Sequence, residues 1–282
     1  AQPGIGTAAL GELQEAQPPA LEEVIAALLG TLATLARDIV LVLDDYHVIE
    51  ARPIHDAIAA FIANRPPRAH LAIASRADPP FPLARLRARG ELTELRAADL
   101  RFTPDEAATF LNQMMGLRLA AAQVAALEER AEGWIAGLQL AALSLRGRID
   151  PAEFIAAFSG THRHILDYLA EEVLDRQSEE DREFLLHTSV LERLSADLCA
   201  AVTGRAGSQA TLERLDRENL FLIPLDEERA WYRYHHLFAE FLRNRLRQLS
   251  PDLVPDLHRR AAAWYAGHGQ PFEAVEHALA GG

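Results

Sequence analysis

Five consecutive aliphatic residues, Ile39-Val40-Leu41-Val42-Leu43, run directly into two aspartates, Asp44 and Asp45. A run of this length, rich in β-branched side chains, reads as a strand apolar on both faces, and such strands belong to parallel sheets covered by helices. The flanking sequence agrees. Leu21, Val24, Ile25, Leu28, Leu32 and Leu35 recur at helical spacing before it, and residues 53–64 form a second amphipathic stretch with proline in its first turn. Pro66-Pro67 stops that helix, and residues 71–74 are another short apolar run, ending in Ser75-Arg76. Helix, strand, helix, strand predicts α/β architecture for this part of the chain.

After Thr103 the pattern becomes helical. Thr103-Pro104-Asp105-Glu106 has the residues of a capping box with proline at the first helical position, and Asp150-Pro151-Ala152-Glu153 repeats the chemistry with aspartate as cap. Helical stretches are expected at 124–130, 134–146, 162–174, 181–187 and 211–218. Residues 221–225 and 231–234 are β-prone around Asp226-Glu227-Glu228-Arg229, a hairpin by pattern, and Leu237, Phe238, Phe241, Leu242 and Leu246 then share one face of a helix over 237–249. Helices, a hairpin and a closing helix predict a winged helix. Residues 253–265 and 272–279 have the layout of one helical-hairpin repeat, which cannot bury its own face alone. Because the sequence starts at Ala1 and stops soon after this hairpin, it reads as a piece cut at both ends.

Composition removes several chemistries. All 28 basic residues are arginine, so this chain supplies no P-loop lysine, Schiff base or lysine general base. The single cysteine, Cys199, has nothing to pair with and lies in an apolar helical context typical of an inert thiol, which predicts a reducing, cytoplasmic setting. A net charge of -13 disfavours a polyphosphate partner, and residues 161–250 hold 12 Arg against 17 Asp and Glu, so the winged helix is a poor DNA reader. The longest nearly apolar stretches, 24–36 and 134–145, fall short of the roughly 20 residues that cross a bilayer, so no membrane partner is expected.

The residues that could carry chemistry are few. Two carboxylates at the C-terminal end of a parallel strand stand where ligands bind in open α/β sheets, and Mg²⁺ takes one or two carboxylates plus phosphate oxygens. By this Walker B logic Asp44 would hold the metal and Asp45 would position or deprotonate the attacking water; the same residues also suit a strand that merely ends in a polar turn. Arg76, at the end of the next strand, could reach a γ-phosphate. Arg85, Arg87, Arg89, Arg96 and Arg101 could form a phosphate-facing patch or a solvated helix face. His162 with His164, and His235 with His236, lack zinc-ligand spacing, and no Gly-x-Ser-x-Gly elbow is present.

Five segments, in order, resemble a known family: Leu41-Val42-Leu43-Asp44-Asp45-Tyr46-His47, Ala74-Ser75-Arg76-Ala77-Asp78-Pro79-Pro80, Asp99-Leu100-Arg101-Phe102-Thr103, Glu132-Gly133-Trp134 continuing to Ala141, and Tyr232-Arg233-Tyr234-His235-His236-Leu237-Phe238. Together they resemble the MalT-like, LuxR-type ATP-dependent transcriptional activators of the STAND class of signal-transduction NTPases. The resemblance implies a mixed α/β then mainly α chain: the C-terminal part of a P-loop NTPase domain (1–102), a small helical domain (103–159), a winged-helix domain (160–250) and the first hairpin of a TPR-like superhelical sensor (251–282).

It also implies site residues. Asp44 resembles the Walker B metal aspartate, Asp45 its catalytic neighbour, and Arg76 the sensor arginine. Gly137 lies in Gly137-Leu138-Gln139-Leu140-Ala141, which resembles the adenine-side "GLPLA" element with Gln139 in place of proline. His235 lies in Tyr234-His235-His236-Leu237, which resembles "MHDL" and makes His235 a contact to the β-phosphate, with His236 standing where the family has aspartate. The implied cofactors are ATP or ADP with Mg²⁺ in a full-length parent that self-associates. Its inducer would bind the C-terminal repeats, and its DNA contacts would come from a helix-turn-helix further on. The Walker A loop is expected upstream, so this chain alone should be inactive. The competing reading is a non-enzymatic protein-interaction module with a vestigial Walker B strand.

Overall fold

The computed structural model describes residues 6–14, 19–146 and 151–282, and these divide into two compact units, one ending at Glu94 and the other beginning at Leu95. In the first unit, α1 (Thr7–Leu13) and α2 (Leu21–Ala33) precede β1 (Ile39–Leu43), α3 (Arg52–Asn64), β2 (Ala69–Ile73) and the short α4 (Leu83–Ala88). The strands are parallel, in register from Ile39 opposite Ala69 to Leu43 opposite Ile73. The second strand begins two residues earlier than its apolar run, because Ala69 and His70 complete the ladder begun at Ile39.

Leu32, Phe61 and Ala69 form the core here, with Ile25, Leu28, Leu29, Leu35, Ile39, Leu41 and Leu71 packed on it. All of these lie on one sheet face, the one that α2 and α3 cover. The sequence predicts a strand covered on both faces. Among the described residues the opposite face is open instead, with Val40 57% and Val42 67% exposed. The arginine run is likewise not one helical face. Only Arg85 and Arg87 fall in α4, and Arg87 makes a bidentate contact with Glu94, at 2.9 Å for both Nε and Nη2.

The second unit is helical apart from one hairpin. It comprises α5 (Pro104–Thr109), α6 (Ala121–Ala131), α7 (Ile135–Leu145), α8 (Pro151–Ala157), α9 (Arg163–Leu169), α10 (Glu179–Thr188), α11 (Ala196–Thr203) and α12 (Ser208–Arg217). Strands β3 (Leu222–Pro224) and β4 (Tyr232–Tyr234) follow, then α13 (His236–Leu249), α14 (Val254–Gly267) and α15 (Pro271–Gly281). The capping box at Thr103 is complete: its Oγ1 accepts the Glu106 N–H at 3.3 Å, and Glu106 Oε2 accepts the Thr103 N–H at 2.9 Å. The matching cap expected at Asp150 lies outside the described residues. Helices α5 and α9 each run into a π-turn, Phe110–Met114 and Ala170–Leu174.

Strands β3 and β4 pair antiparallel, and Leu194 adds a single bridge to Tyr232, giving the small sheet of a winged helix. The α13 face read from the sequence is the buried one: Leu237, Phe238, Phe241, Leu242 and Leu246 all enter a continuous core shared with α6, α7, α9 and α10–α12. Cys199 is buried in it, and burial pushes its thiol up to about 12, so it is inert as expected.

Arginines tie distant loops to this core through backbone carbonyls. Arg130 Nη1 donates to Ile155 O, Ala156 O and Phe158 O at 2.6, 2.7 and 2.9 Å, closing the C-terminal end of α8. Arg243 Nε and Nη2 donate to Ser189 O and Leu191 O at 2.7 and 3.3 Å, and Arg260 Nη1 donates to Val202 O at 3.1 Å. Among the described residues no helix is long and apolar enough to cross a membrane.

Candidate functional site

In the first unit the candidate residues sit on the turns that follow the two strands. Ala74 N–H donates to Leu43 O at 2.9 Å and Tyr46 N–H to Ala74 O at 3.0 Å, so the turn after β1 is laced to the turn after β2. Tyr46 anchors the first turn. It is 2% exposed, its hydroxyl meets His55 Nδ1 at 2.8 Å, and its ring packs against Phe81. Asp44 and Asp45 are left on the surface, Asp45 in the left-handed region at φ 50, with its own N–H donating to Asp44 Oδ1 at 3.0 Å. Arg76 follows on the second turn, and its N–H points to His47 Nδ1 at 3.5 Å. Asp44, Asp45 and Arg76 therefore share one end of the parallel pair. The oxygens suit a hard cation and the guanidinium suits a phosphate. Among the described residues no group of three or more His, Cys, Asp or Glu side chains is placed to hold a metal by itself.

The second unit brings three of the motif segments together around Glu132. Helix α6 ends as Glu132 and Gly133 both enter the left-handed region, at φ 47 and 69. Gly133 has to be glycine twice over: its φ is left-handed, and a Cβ there would lie 2.7 Å from Phe102 O, on a stretch of chain held close by Phe102 N–H donating to Gly133 O at 2.9 Å. The same turn directs the Glu132 side chain, only 10% exposed, onto the start of α13. Its Oε1 accepts from Arg233 Nη1 at 2.9 Å and from the His236 N–H at 2.9 Å, while Oε2 accepts from Arg233 Nη2 at 2.8 Å. Arg101 Nη1 stands 3.9 Å from Oε2. Burial alone would raise this carboxyl, but the Arg233 and His236 hydrogen bonds and the nearby positive groups hold it at about 2.

One N–H at the start of α13, that of His236, thus meets a carboxylate supplied by Glu132 from across the core. His235, one residue earlier, is 4% exposed. Its Nε2 donates to Ala131 O at 3.0 Å, and its Nδ1 is buried with no partner among the described residues. Burial, outweighing the pull of Glu132 and the Ala131 carbonyl, lowers His235 to about 4, so the ring is neutral at pH 7. Trp134 packs edge-on against both Phe221 and His235, with ring centroids 5.0 and 5.9 Å apart. Gly137 is buried beneath it, and a Cβ there would meet the Trp134 ring at 2.8 Å and Leu237 at 3.4 Å.

The sequence alone supplies the short segments that carry Gly137 and His235 but not what joins them. Glu132 and Arg233 lie 101 residues apart, and nothing local marks either as the other's partner. The signal in the sequence is that both stand inside the segments that carry the family resemblance.

With this geometry in place, the winged helix can be matched to known proteins. Residues 170–254 match the MalT winged helix domain. The chain is also 38% identical over 272 residues to the HTH-type transcriptional regulator MalT of Klebsiella pneumoniae (strain 342), covering 96% of this chain and 30% of that protein. It is 41% identical over 244 residues to the serine/threonine-protein kinase PknK of Mycobacterium tuberculosis (strain H37Rv), covering 86% of this chain and 22% of the kinase. A crystal structure of a STAND protein with a tetratricopeptide repeat sensor from Pyrococcus horikoshii aligns with a TM-score of 0.37 at 16% identity, over 97% of this chain and 37% of that one. The chain thus spans between a fifth and a third of the length of its MalT and PknK relatives. The part that matches the MalT winged helix domain starts at the π-turn after α9 and ends at the first residue of α14.

Proposed function

We propose that these residues form the central nucleotide-switch segment of an ATP-dependent LuxR/MalT-type transcriptional regulator. The observation that supports it is the shared end of the parallel pair, where Asp44, Asp45 and Arg76 stand on turns hydrogen-bonded to each other. In this reading Asp44 holds Mg²⁺, Asp45 orients the attacking water and Arg76 meets the terminal phosphate. Bound ATP–Mg²⁺ would supply the phosphoanhydride whose state the segment reports.

The residues fit that group unequally. The two carboxylates and the guanidinium match it directly. His235 matches a phosphate only as the imidazolium, because its Nε2 proton is engaged by Ala131 O and the neutral Nδ1 is an acceptor. Gly137 serves the adenine side in this reading, with Trp134 as the wall above it. Phosphate-cradling lysine chemistry is not available from any of the 282 residues, since none is lysine.

Self-association, the inducer and promoter contacts belong in this proposal to the longer protein, with DNA met by a helix-turn-helix and not by the acidic winged helix. The likeness to a protein named a kinase as well as to one named a transcriptional regulator favours a switch separable from its output. The second reading, a non-enzymatic interaction module, keeps the same fold and leaves Asp44 and Asp45 as a polar turn.

Isothermal calorimetry separates the two. The 282-residue chain is expected to show no micromolar affinity for ATP–Mg²⁺, and such affinity would contradict the need for a lysine-bearing loop. A longer protein that includes the upstream segment is expected to bind, and to lose at least tenfold in affinity on Arg76→Ala. An unchanged affinity there favours the interaction module.

A further inference from the structure

A cavity of about 370 Å³ lies where α13 meets the C-terminal helical hairpin. Its wall includes Arg243 and Arg247 from α13, His258 from α14, Glu276 and His277 from α15, and Glu192 from the turn after α10. The deep polar groups are already paired with one another. Arg243 is engaged by Ser189 O and Leu191 O, and the two imidazoles face each other, Nδ1 to Nδ1, at 2.9 Å. No buried polar atom of this wall is left without a partner among the described residues, so the chemistry the cavity holds is that of the imidazole pair itself.

Two Nδ1 atoms at this separation share one proton, one donating and the other accepting. A first added proton can enter at Nε2 of the donor ring and leave the contact intact. A second must land on the accepting Nδ1, which sets two N–H groups and two positive charges face to face. His277 cannot simply turn aside: it is 8% exposed, and its ring stacks on Tyr265 of α14 with centroids 5.4 Å apart. Relief comes from the half-buried His258 turning out of the contact or from the helices moving apart, and either one breaks the tie between α14 and α15.

We propose that the His258–His277 contact is a proton-released clasp: singly protonated or neutral it holds α14 and α15 closed beside the winged helix, and doubly protonated it lets the hairpin open.

The surroundings set the sign. Burial, then His258, hold His277 down, with Arg243 of α13 adding to the effect and Glu192 opposing it, to about 4. Burial, with Arg243 and Arg247, also lowers His258. Glu273 and Glu276 on α15 and Arg193 beside Glu192 complete the charged groups on this side, and Tyr265, pushed up to about 12 mainly by burial, stays uncharged. An opened hairpin restores His277 toward its ordinary 6.5, so the open form takes up protons first as pH falls. The clasp is whole above about pH 6.5 and is lost on the way to about pH 4. From His277 alone the opening equilibrium rises about 20-fold between pH 7 and pH 5.

Hydrogen–deuterium exchange of the 282-residue chain, corrected for the intrinsic pH dependence of exchange, reads this directly. Peptides from α14 and α15 are expected to lose about 20-fold in protection from pH 7 to pH 5 while peptides from α2, which holds no histidine, do not. His277→Gln, whose amide can still bridge to His258 but does not titrate, should remove most of that step. His187, also lowered by burial and set among Glu183, Arg205 and Arg260, is the neighbouring titrating group, and His187→Gln should leave the step in place. No step in the unsubstituted chain, or an equal step in His277→Gln, overturns the proposal. Should His277→Gln fail to fold, imidazole NMR of the unsubstituted chain decides: one ring of the pair must stay neutral well below pH 6.5, and two rings titrating independently near 6.5 overturn the clasp.

Discussion

Glu132→Ala is expected to destabilise the second unit by about 3 kcal/mol, the lower end of the cost of breaking a buried ion pair. The substitution leaves three groups without their acceptor. The Arg233 guanidinium, with 29% of its side chain exposed, loses both bidentate bonds, and the His236 N–H at the start of α13 loses its cap. Arg101 loses its nearest anion. Glu132→Gln should cost roughly half as much, since an amide oxygen still accepts from His236 while the charge is gone. Urea unfolding followed by tryptophan fluorescence is well placed to measure this, because Trp134 sits within the same cluster. A double-mutant cycle with Arg233→Met should recover most of the loss as coupling. A cost below about 1 kcal/mol for Glu132→Ala would show that the contact is peripheral, like an exposed pair.

The same carboxylate carries a pH signature. Its folded value of about 2 lies below the ordinary 4.5, so the unfolded chain binds the proton first as pH falls. The stability it contributes is complete above about pH 4.5 and is lost as pH approaches 2, about 3 kcal/mol in all. Glu132→Gln should flatten the acid limb of the stability curve over that window.

Gly160→Ala is the second large effect, also about 3 kcal/mol, and by a different mechanism. A Cβ on Gly160 would lie 1.9 Å from Leu237 O and 2.8 Å from Leu237 C. These are backbone atoms of the first turn of α13, so no rotamer change relieves the overlap. The approach is fixed from the other side as well, since Gly160 N–H donates to Glu240 Oε2 at 2.6 Å. Gly267→Ala is the matched control: nothing lies within 4 Å of its Cβ position, and the change should be neutral or stabilise slightly. Equal melting temperatures for the two variants would mean that the chain before α9 does not bear on α13.

Elements with a strong local signal were legible from the sequence. The aliphatic run before Asp44, the proline-started helix after it, the Thr103 box and the α13 face all follow from spacing and cap chemistry, and each stands where expected. Helix α11 is legible only as an apolar helical context around Cys199, without bounds, because Ala196–Thr203 is too short and too evenly apolar to show a period. Coverage of β1 is met on one face among the described residues. An aliphatic residue at Val40 or Val42 looks the same in sequence whether its face is packed or open. Of the candidate residues, Asp44, Asp45 and Arg76 could be placed at strand ends by pattern alone. The Glu132–Arg233 contact and the His258–His277 pair could not, because each joins residues on different elements and depends on how helices cross.

The guanidinium contacts of Arg130, Arg243 and Arg260 bear on how the molecule can be labelled. Each reaches backbone carbonyls of a segment remote in sequence, and Arg130 and Arg243 each engage more than one. At Arg243, where Nε and Nη2 span two carbonyls, lysine with its compact ammonium on a flexible stem cannot reproduce the planar fork. Introducing amine handles for cross-linking or dye attachment by trading arginine for lysine, usually the safest exchange, would unfasten the turn after α10 if made at Arg243. Handles placed at the exposed Arg85 or Arg89 leave that seam closed.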